Sequence, residues 1–504
     1  MKTEITIITQ KLTNRNGQKA TGLNMTGNRP VKRIVLLIAA IGSIAAVLYA
    51  LWQQGVFLPG WVLWENRELC DASLQYEIRL NRKAVAVQYD NEVIWTSSAG
   101  VKVQDVLSCD VDGDKEDELV LLCWKRGRYG KDRPFWVKKD EKSWSQHLFV
   151  YEYQGRTVKP KWMSSYIGQD IVTIAADKNK APFHRLLFTD REGKVTSWVW
   201  DSWGFVKEDT DISFAVFGDN LIHEPIYRYG LNHGGDFDFL YENLQDVIAE
   251  SDVAVINQET PLVDDPSLYG DYPRFGTPVQ VGEAIADAGF DVVTCATNHA
   301  LDRGDEGIRV TKEFFDLRGV VCLGVQTENE KEYEPYEILV RNGIRFAMLN
   351  YTYGTNGIKI PEENPYMVHR LEDEDQVRSD IGRARGEADC VIVFVHWGTE
   401  NSGQIDDFQK KWAQVFLKCR ADVVVGTHPH VMQHYEVLKG DDGHRMLIYY
   451  SIGNYISAQP EISCIKGGMA SFTVSLTPAG YQVTEYDLTP LTIRWEGQGK
   501  YTVE

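Results

Sequence analysis

The stretch TCATNHALDRGDEG, residues 294–307, decides how this chain is read. An apolar run from Phe290 to Cys295 stops at Asn298 and His299. Asp302 follows three residues later, and glycines stand at 304 and 307. A lone Asn-His pair would be ordinary turn chemistry. It gains meaning only if other strands of the same sheet end in the same way.

They do. From residue 211 onward, short apolar runs alternate with amphipathic segments. ISFAVFGD (212–219) reads as a strand and ENLQDVIAES (242–251) as a helix. DVAVINQE (252–259) is a strand, VGEAIADAG (281–289) a helix stopped by glycine, and FDVVTCATNH (290–299) a strand. DCVIVFVHWG (389–398) and DVVVGTHPH (422–430) are strands, each preceded by a helical segment. Repeated strand–helix units imply an α/β sheet covered by helices, with its ligand site at the carboxyl ends of the strands. Those ends carry Asp219, then Asn257 and Glu259, then Asn298 and His299, then His396, then His428 and His430.

Among these, two carboxylates, an amide oxygen and three imidazoles make a mixed oxygen–nitrogen donor set. It suits Mn, Fe or Zn better than Ca or Mg alone. Six such donors exceed the needs of one tetrahedral ion. Two divalent ions bridged by one carboxylate use them economically and fit metal-assisted hydrolysis or transfer.

GDNLIH (218–223), NQET (257–260), NHALDRGDEG (298–307), HWGTE (396–400), GTHPHVMQ (426–433) and YYSIGNY (449–455) occur in the order found in the capsule-synthesis family of CapA type, tied to poly-γ-glutamate capsules. Residues 211–460 resemble that family, which is similar to the calcineurin-like metallophosphatases. The resemblance implies a β-sandwich of four layers, flanked by helices, with a dinuclear metal centre. It implies Asp219 and His430 on the first ion, Glu259 as the bridge, and Asn298, His396 and His428 on the second. His299 becomes a general acid or an oxyanion clamp. Asp302 either orients His299 or caps the following helix. The opening Asp-x-His of metallophosphatases is missing. His223, four residues after Asp219, is an uncertain substitute, and Asn401 stands where the family often has Tyr. Asn257, Ser451 and Asn454 are candidate substrate contacts, although Ser451 and Asn454 also suit a turn.

The rest of the chain frames this domain. Among 504 residues the net charge is −19, which argues against a nucleic-acid partner. Residues 1–33 nevertheless carry Lys2, Lys11, Arg15, Lys19, Arg29, Lys32 and Arg33 against Glu4. Residues 34–52 hold no charge, and the next charged residue is Glu65. That length spans a bilayer. The basic flank places residues 1–33 in the cytoplasm as a tail and the domains beyond outside the cell. A cleaved signal peptide is the alternative; no small-x-small site follows the run.

Residues 68–207 read as short, aromatic-rich strands. WTSS at Trp95 is echoed by WMSS at Trp162, and an Asp follows each Trp fifteen residues later, Asp110 and Asp177. This suggests a β-rich, propeller-like repeat ahead of the metallophosphatase-like domain at 211–490. In DVDGDKEDEL (110–119), Asp110, Asp112, Asp114 and Glu118 have the spacing of a calcium loop and resemble those of FG-GAP-type repeats. A solvated acidic turn is the other reading. No cysteines form a CxxC pair, and whether Cys109 pairs with Cys123 stays open.

Two functions follow. One is a membrane-anchored hydrolase-like protein of capsule assembly, acting on an anionic polymer or a phosphoester. The other is a non-catalytic assembly or export factor with a residual metal site, which binds polymer or other membrane subunits of capsule synthesis. The altered first motif favours the second reading, and the retention of His428 and His430 with Asn298–His299 favours the first. The charge bias across residues 34–52 predicts that, in intact cells, external protease degrades the chain beyond residue 60 while residues 1–33 survive until lysis.

Overall fold

The computed structural model of the chain describes residues 29–64, 66–69, 76–129, 135–177, 184–330 and 332–504. The basic residues before Arg29 lie outside the described part. The chain divides into two compact units, residues 1–104 with 123–147, and residues 105–122 with 148–504.

Helix α1 (Arg29–Gln53) contains Leu36–Gln53, a segment long and apolar enough to cross a membrane, with none of it buried. After it come twelve strands in antiparallel meanders: β1 (Arg67–Leu69), β2 (Tyr76–Asn81), β3 (Ala84–Tyr89) and β4 (Glu92–Thr96); β5 (Lys102–Cys109), β6 (Glu118–Arg126), β7 (Trp144–Gln154) and β8 (Thr157–Met163); β9 (Ile171–Asp177), β10 (Arg185–Asp190), β11 (Val195–Asp201) and β12 (Gly204–Glu208). Trp95 and Trp162 of the sequence echo fall on the last strands of the first two meanders. Asp110 directly follows β5, and Asp177 ends β9. Cys109 and Cys123 are both free and buried.

The remainder of the second unit is a four-layer α/β/β/α sandwich. Its strands are β13 (Ile212–Asn220), β14 (Val253–Asn257), β15 (Leu262–Val263), β16 (Thr277–Pro278), β17 (Val292–Thr294), β18 (Val321–Leu323), β19 (Tyr336–Arg341), β20 (Ile344–Thr352), β21 (Cys390–His396), β22 (Val423–Thr427), β23 (Tyr435–Lys439), β24 (Arg445–Tyr449), β25 (Asn454–Ile456), β26 (Lys466–Thr477), β27 (Gly480–Gly497) and β28 (Lys500–Val503). One sheet runs β18-β17-β14-β13-β26-β27-β28, with β25 beside β13; the other runs β19-β20-β21-β22-β24-β23. The strands β13, β14, β17 and β18 are parallel, as are β20, β21, β22 and β24.

Alternating side chains explain the layers. Phe214 and Val216 of β13 point into the space between the sheets, where Phe346, Ile392, Phe394, Val423 and Val425 meet them. Phe214 stacks on Phe472 at 4.6 Å and meets Phe346 edge-on at 5.1 Å. Ala215 and Phe217 face the other way, toward α2 (Glu224–Asn232), α3 (Gln245–Glu250), α4 (Val279–Ala288) and α5 (Gly304–Leu317). The outer face of the second sheet is covered by α6 (Glu374–Glu387) and α7 (Asp407–Lys418). Gly289 ends α4 in the left-handed conformation, and Asp406 and Gln409 form a capping box at the start of α7.

Two expectations shift. The strand at 290–299 is shorter than its apolar run, because ladder pairing ends at Thr294 and residues 295–303 form the loop that carries Asn298 and His299. The domain also continues past residue 490, since Ile493 and Val503 are buried in its core.

Gly218 lies against the Gly453 carbonyl, which an added Cβ would approach to 1.8 Å. Gly218→Ala is expected to destabilise the fold by about 2–3 kcal/mol or more through overpacking. Gly354→Ala, where a Cβ meets open space, stays within about 0.5 kcal/mol. Urea unfolding midpoints of the two variants check this.

Candidate metal centre

The strand ends converge. Asp219, Glu259 and His430 bring ligand atoms within 4.8 Å of one another, and so do Glu259, His396 and His428. Glu259 belongs to both groups and lies between them. Asp219, Glu259 and Asn298 come from the first sheet and its loops, while His396, His428 and His430 come from the second. All six are buried.

Asp219 is held from several sides. Asn257 Nδ2 donates to its Oδ1 at 2.8 Å, and the His428 backbone N–H lies 3.3 Å from each oxygen. His430 Nδ1 stands 3.1 Å from Asp219 Oδ2 and 3.0 Å from Asn454 Oδ1. His396 Nδ1 is 3.0 Å from Thr427 Oγ1, which fixes the ring, and its Nε2 is 2.9 Å from Asn298 Oδ1. His428 and His430 both adopt positive φ, 94° and 60°, on either side of Pro429. Non-glycine residues in that region store strain of about 1–3 kcal/mol each and cluster at functional sites. The Asn401 N–H donates to the Pro429 carbonyl at 2.8 Å, so Asn401 steadies this turn through its backbone.

The electrostatics separate the two groups. Burial, then the Asp219 charge, pushes the Glu259 carboxyl well above its usual range. Burial, then the neighbouring imidazoles, holds His396 and His428 well below theirs, so both rings are neutral, the form that binds metal. Burial also opposes charge on His430, but Glu259 and Asp219 outweigh it and raise the ring to about 9.

Both Glu259 oxygens and His428 Nδ1 are buried without a hydrogen-bond partner. His396 Nε2 and His430 Nδ1 stand 3.7 and 3.9 Å from the two Glu259 oxygens, too far to satisfy them. A buried carboxylate lacking donors is strongly unfavourable unless a cation meets it. The orphaned atoms and the mixed donor set therefore fit divalent metal ions.

His299 Nδ1 lies 2.6 Å from Asp302 Oδ2, which also accepts from the Phe275 N–H at 2.8 Å. Asp302 thus orients His299. The alternative role as a helix cap fails, because α5 starts at Gly304 behind Arg303 with no side-chain cap. His223 does not join either ligand group. Its Nδ1 faces the Leu221 carbonyl and the Ala458 N–H, and its ring packs edge-on against Phe275.

The three candidate substrate contacts are placed elsewhere. Asn257 supports Asp219 and accepts from Thr294 Oγ1. Ser451 is fully buried and donates to the Val431 carbonyl. Asn454 is also fully buried and holds His430, its Nδ2 donating to Gln459 Oε1 and the Cys464 carbonyl. All three are occupied in building the ligand turns, which leaves them no free group for a substrate.

The loop after β20 supplies residues that the sequence reading missed. Tyr353 packs on His428 with ring centroids 4.7 Å apart, and its hydroxyl interacts with Asn298. Burial, then the charges of Glu400 and Glu259, pushes that phenol up to about 12. Asn356 Oδ1 lies 3.3 Å from Asn298 Nδ2, and its Nδ2 is 3.5 Å from His299 Nδ1. Both are partly exposed, so they stand on the open side of the centre. The signal was present: NYTYGTNG (350–357) also ends a strand of the second sheet on polar groups.

Residues 213–459 match the family model described as bacterial capsule synthesis protein PGA_cap. This part of the chain belongs to that family. Similar proteins include the capsule biosynthesis protein CapA of Bacillus anthracis, 27% identical over 50% of this chain and 61% of that protein. The PGA biosynthesis protein CapA of Bacillus subtilis is 25% identical over 58% of this chain and 77% of that protein. The chain thus aligns with less than two thirds of the first relative. Among solved structures, a novel phosphatase from Mycoplasma pneumoniae matches 56% of this chain and 94% of its own, with 12% identity and a TM-score of 0.34. The NAD nucleotidase of Haemophilus influenzae matches 58% and 53%, with 10% identity and a TM-score of 0.34. Likeness at that level does not bear on activity.

Asp110, Asp112 and Glu118 also cluster. Here a cation is already present within the chain. Lys161 Nζ lies 2.5 Å from Asp112 and 2.6 Å from Glu118, with Asp114 at 4.0 Å. Asp110 accepts from the Gly113 and Lys115 N–H groups. The ammonium stands where the calcium reading would place an ion. Thermal melts are therefore expected to shift little with added Ca²⁺ in the unchanged protein, and to become Ca²⁺-dependent in Lys161→Met, which leaves the carboxylates uncompensated.

Proposed function

We propose that this protein is a membrane-anchored member of the capsule-assembly machinery whose outward domain carries a dinuclear, metallophosphatase-like hydrolase centre. The carrying observation is Glu259, buried between the Asp219/His430 and His396/His428 groups with both oxygens unpartnered. On this reading Asp219, Glu259 and His430 would hold one ion, and Glu259, Asn298, His396 and His428 would hold the other. The ions, Mn, Fe or Zn, supply Lewis-acid activation of water and of the scissile group.

The chain's own residues do the rest. The two sheets fix the donors before substrate arrives, so no reorganisation is needed at the moment of reaction. Asp302 engages His299 Nδ1 and leaves Nε2 to deliver a proton to a leaving group or to hold a developing oxyanion. Tyr353 and Asn356 offer a hydroxyl and an amide on the open side, where an oxygen-rich substrate would enter. The substrate is a phosphoester or an amide bond of an anionic polymer. The name of the Bacillus subtilis relative, a PGA biosynthesis protein, favours the polymer, poly-γ-glutamate. Helix α1 supports the anchor by length and composition.

A second reading keeps the metal but not the chemistry, as an assembly or export factor that binds polymer or partner membrane subunits. It is favoured by His223, which leaves the first ion without the histidine of the usual opening motif. Metal analysis and hydrolysis of bis(4-nitrophenyl) phosphate by the full chain separate the two. His428→Ala is expected to lose a metal equivalent, since it removes a direct ligand. His299→Ala is expected to keep its metal and lose about 10²–10⁴ in rate. Metal loss from His299→Ala would show the site to be misassigned. Metal retained everywhere, with no activity in the unchanged protein on phosphodiester or on poly-γ-glutamate, would leave the assembly factor standing.

A further inference from the structure

In the first unit, the end of α1 is tied to the β6–β7 hairpin. Trp144 Nε1 donates to the Trp52 carbonyl at 3.1 Å, and the Arg126 guanidinium sits 4.0 Å over the Trp52 ring. The Gly127 N–H donates to the Ser143 carbonyl at 3.0 Å and closes the base of the hairpin loop. That base is therefore held at the last turn of the candidate membrane span.

Beyond the base, Phe135 is 93% exposed and Trp136 69% exposed, packed edge-to-face at 4.7 Å. Two adjacent aromatic rings left in water are unusual unless something covers them. Lys138, Lys139 and Lys142 are exposed beside them. The acids of the segment are already engaged. Asp140 accepts from the Arg128 and Tyr129 N–H groups, and Glu141 pairs with Arg128 at 3.2 Å. Val56 and Phe57, just after α1, are likewise more than half exposed. Aromatic rings with surplus lysines, fixed at the end of an apolar helix, have the composition of a bilayer interface.

We propose that the 135–142 segment is a membrane-interface contact. Phe135 and Trp136 enter the headgroup region, and Lys138, Lys139 and Lys142 engage anionic lipid. The inference rests on the membrane-anchor reading above and adds a second point of attachment to it. With two attachments the first unit is held at a fixed tilt to the bilayer rather than swinging on a single tether.

The test uses the full chain reconstituted in phosphatidylglycerol/phosphatidylethanolamine vesicles, with benzoylphenylalanine replacing Phe135, or replacing Leu48 in α1, or Trp203 on the exposed β11–β12 turn. Lipid adducts are counted by mass spectrometry after illumination. The expected result is adducts at 48 and at 135, with the yield at 135 several-fold above that at 203. Adding Lys138→Glu, Lys139→Glu and Lys142→Glu lowers the yield at 135 several-fold in these vesicles but not in pure phosphatidylcholine. Adducts at 48 with none at 135 would overturn the interface contact and leave the anchor intact. Adducts at 135 with none at 48 would support the contact and overturn the anchor. Crosslinks from 135 to protein instead of lipid, in native membranes, would overturn the lipid assignment in favour of a partner subunit.

Discussion

A carboxylate without hydrogen-bond donors, deep between two sheets, is the constraint on which this molecule turns. Glu259 is 1% exposed, and the side chains nearest it are acids, amides and imidazoles rather than lysine or arginine. Left alone, an ionised carboxylate in such a place is unfavourable by several kcal/mol. His430, raised to about 9, can offset part of the charge shared by Glu259 and Asp219. His396 and His428, which burial keeps neutral, offset none of it. The arrangement makes physical sense as a cradle for cations, and the neighbouring backbone is shaped to hold it.

That shaping is visible where strands approach without side chains between them. Gly218 meets the Gly453 carbonyl, Gly426 the Tyr450 carbonyl and Gly467 the Asn454 carbonyl. The approaches at Gly218 and Gly467 let β25 lie beside β13, so that Asn454 reaches His430. The left-handed backbone at His428 and His430 is retained because its surroundings over-determine it. Asp219 receives the His428 N–H, and Asn401 grips Pro429. Strain in the turn and burial of charge are both supported by packing farther out, where Phe214, stacked on Phe472 of its own sheet, meets Phe346 of the other.

Much of this could be read from the order of residues. The parallel strands are apolar on both faces, so they stand out as runs such as VAVI and VIVFV, and a polar residue ending a run is easily seen. Asp219, Glu259, Asn298, His396, His428 and His430 announce themselves in that way. What escaped depended on three dimensions. Ser451 and Asn454 sit in a motif that looks substrate-facing, yet their hydrogen bonds run inward to Val431 and His430. Tyr353 and Asn356 follow a strand whose end carries polar groups but no acid or imidazole, a fainter signal than that of the other strand ends. Lys161 lies 43 residues from Glu118, and only the pairing of β6, β7 and β8 brings the ammonium to the acidic loop.

The separation of the ligands along the chain also governs when the centre can exist. Asp219 and the His428–Pro429–His430 turn are joined across 209 and 211 residues, and their two sheets must already be packed before the donors meet. Contacts of such range form late, after the entropy of closing a long loop has been met. No fragment of the sandwich holds a full donor set, so ion capture belongs to the last stage of folding and cannot guide the earlier ones. On the proposed dinuclear reading, the finished domain would take its ions from whatever compartment it occupies at that moment. On that reading the metal supply at the place of folding, more than intrinsic affinity, would decide which ions the centre takes.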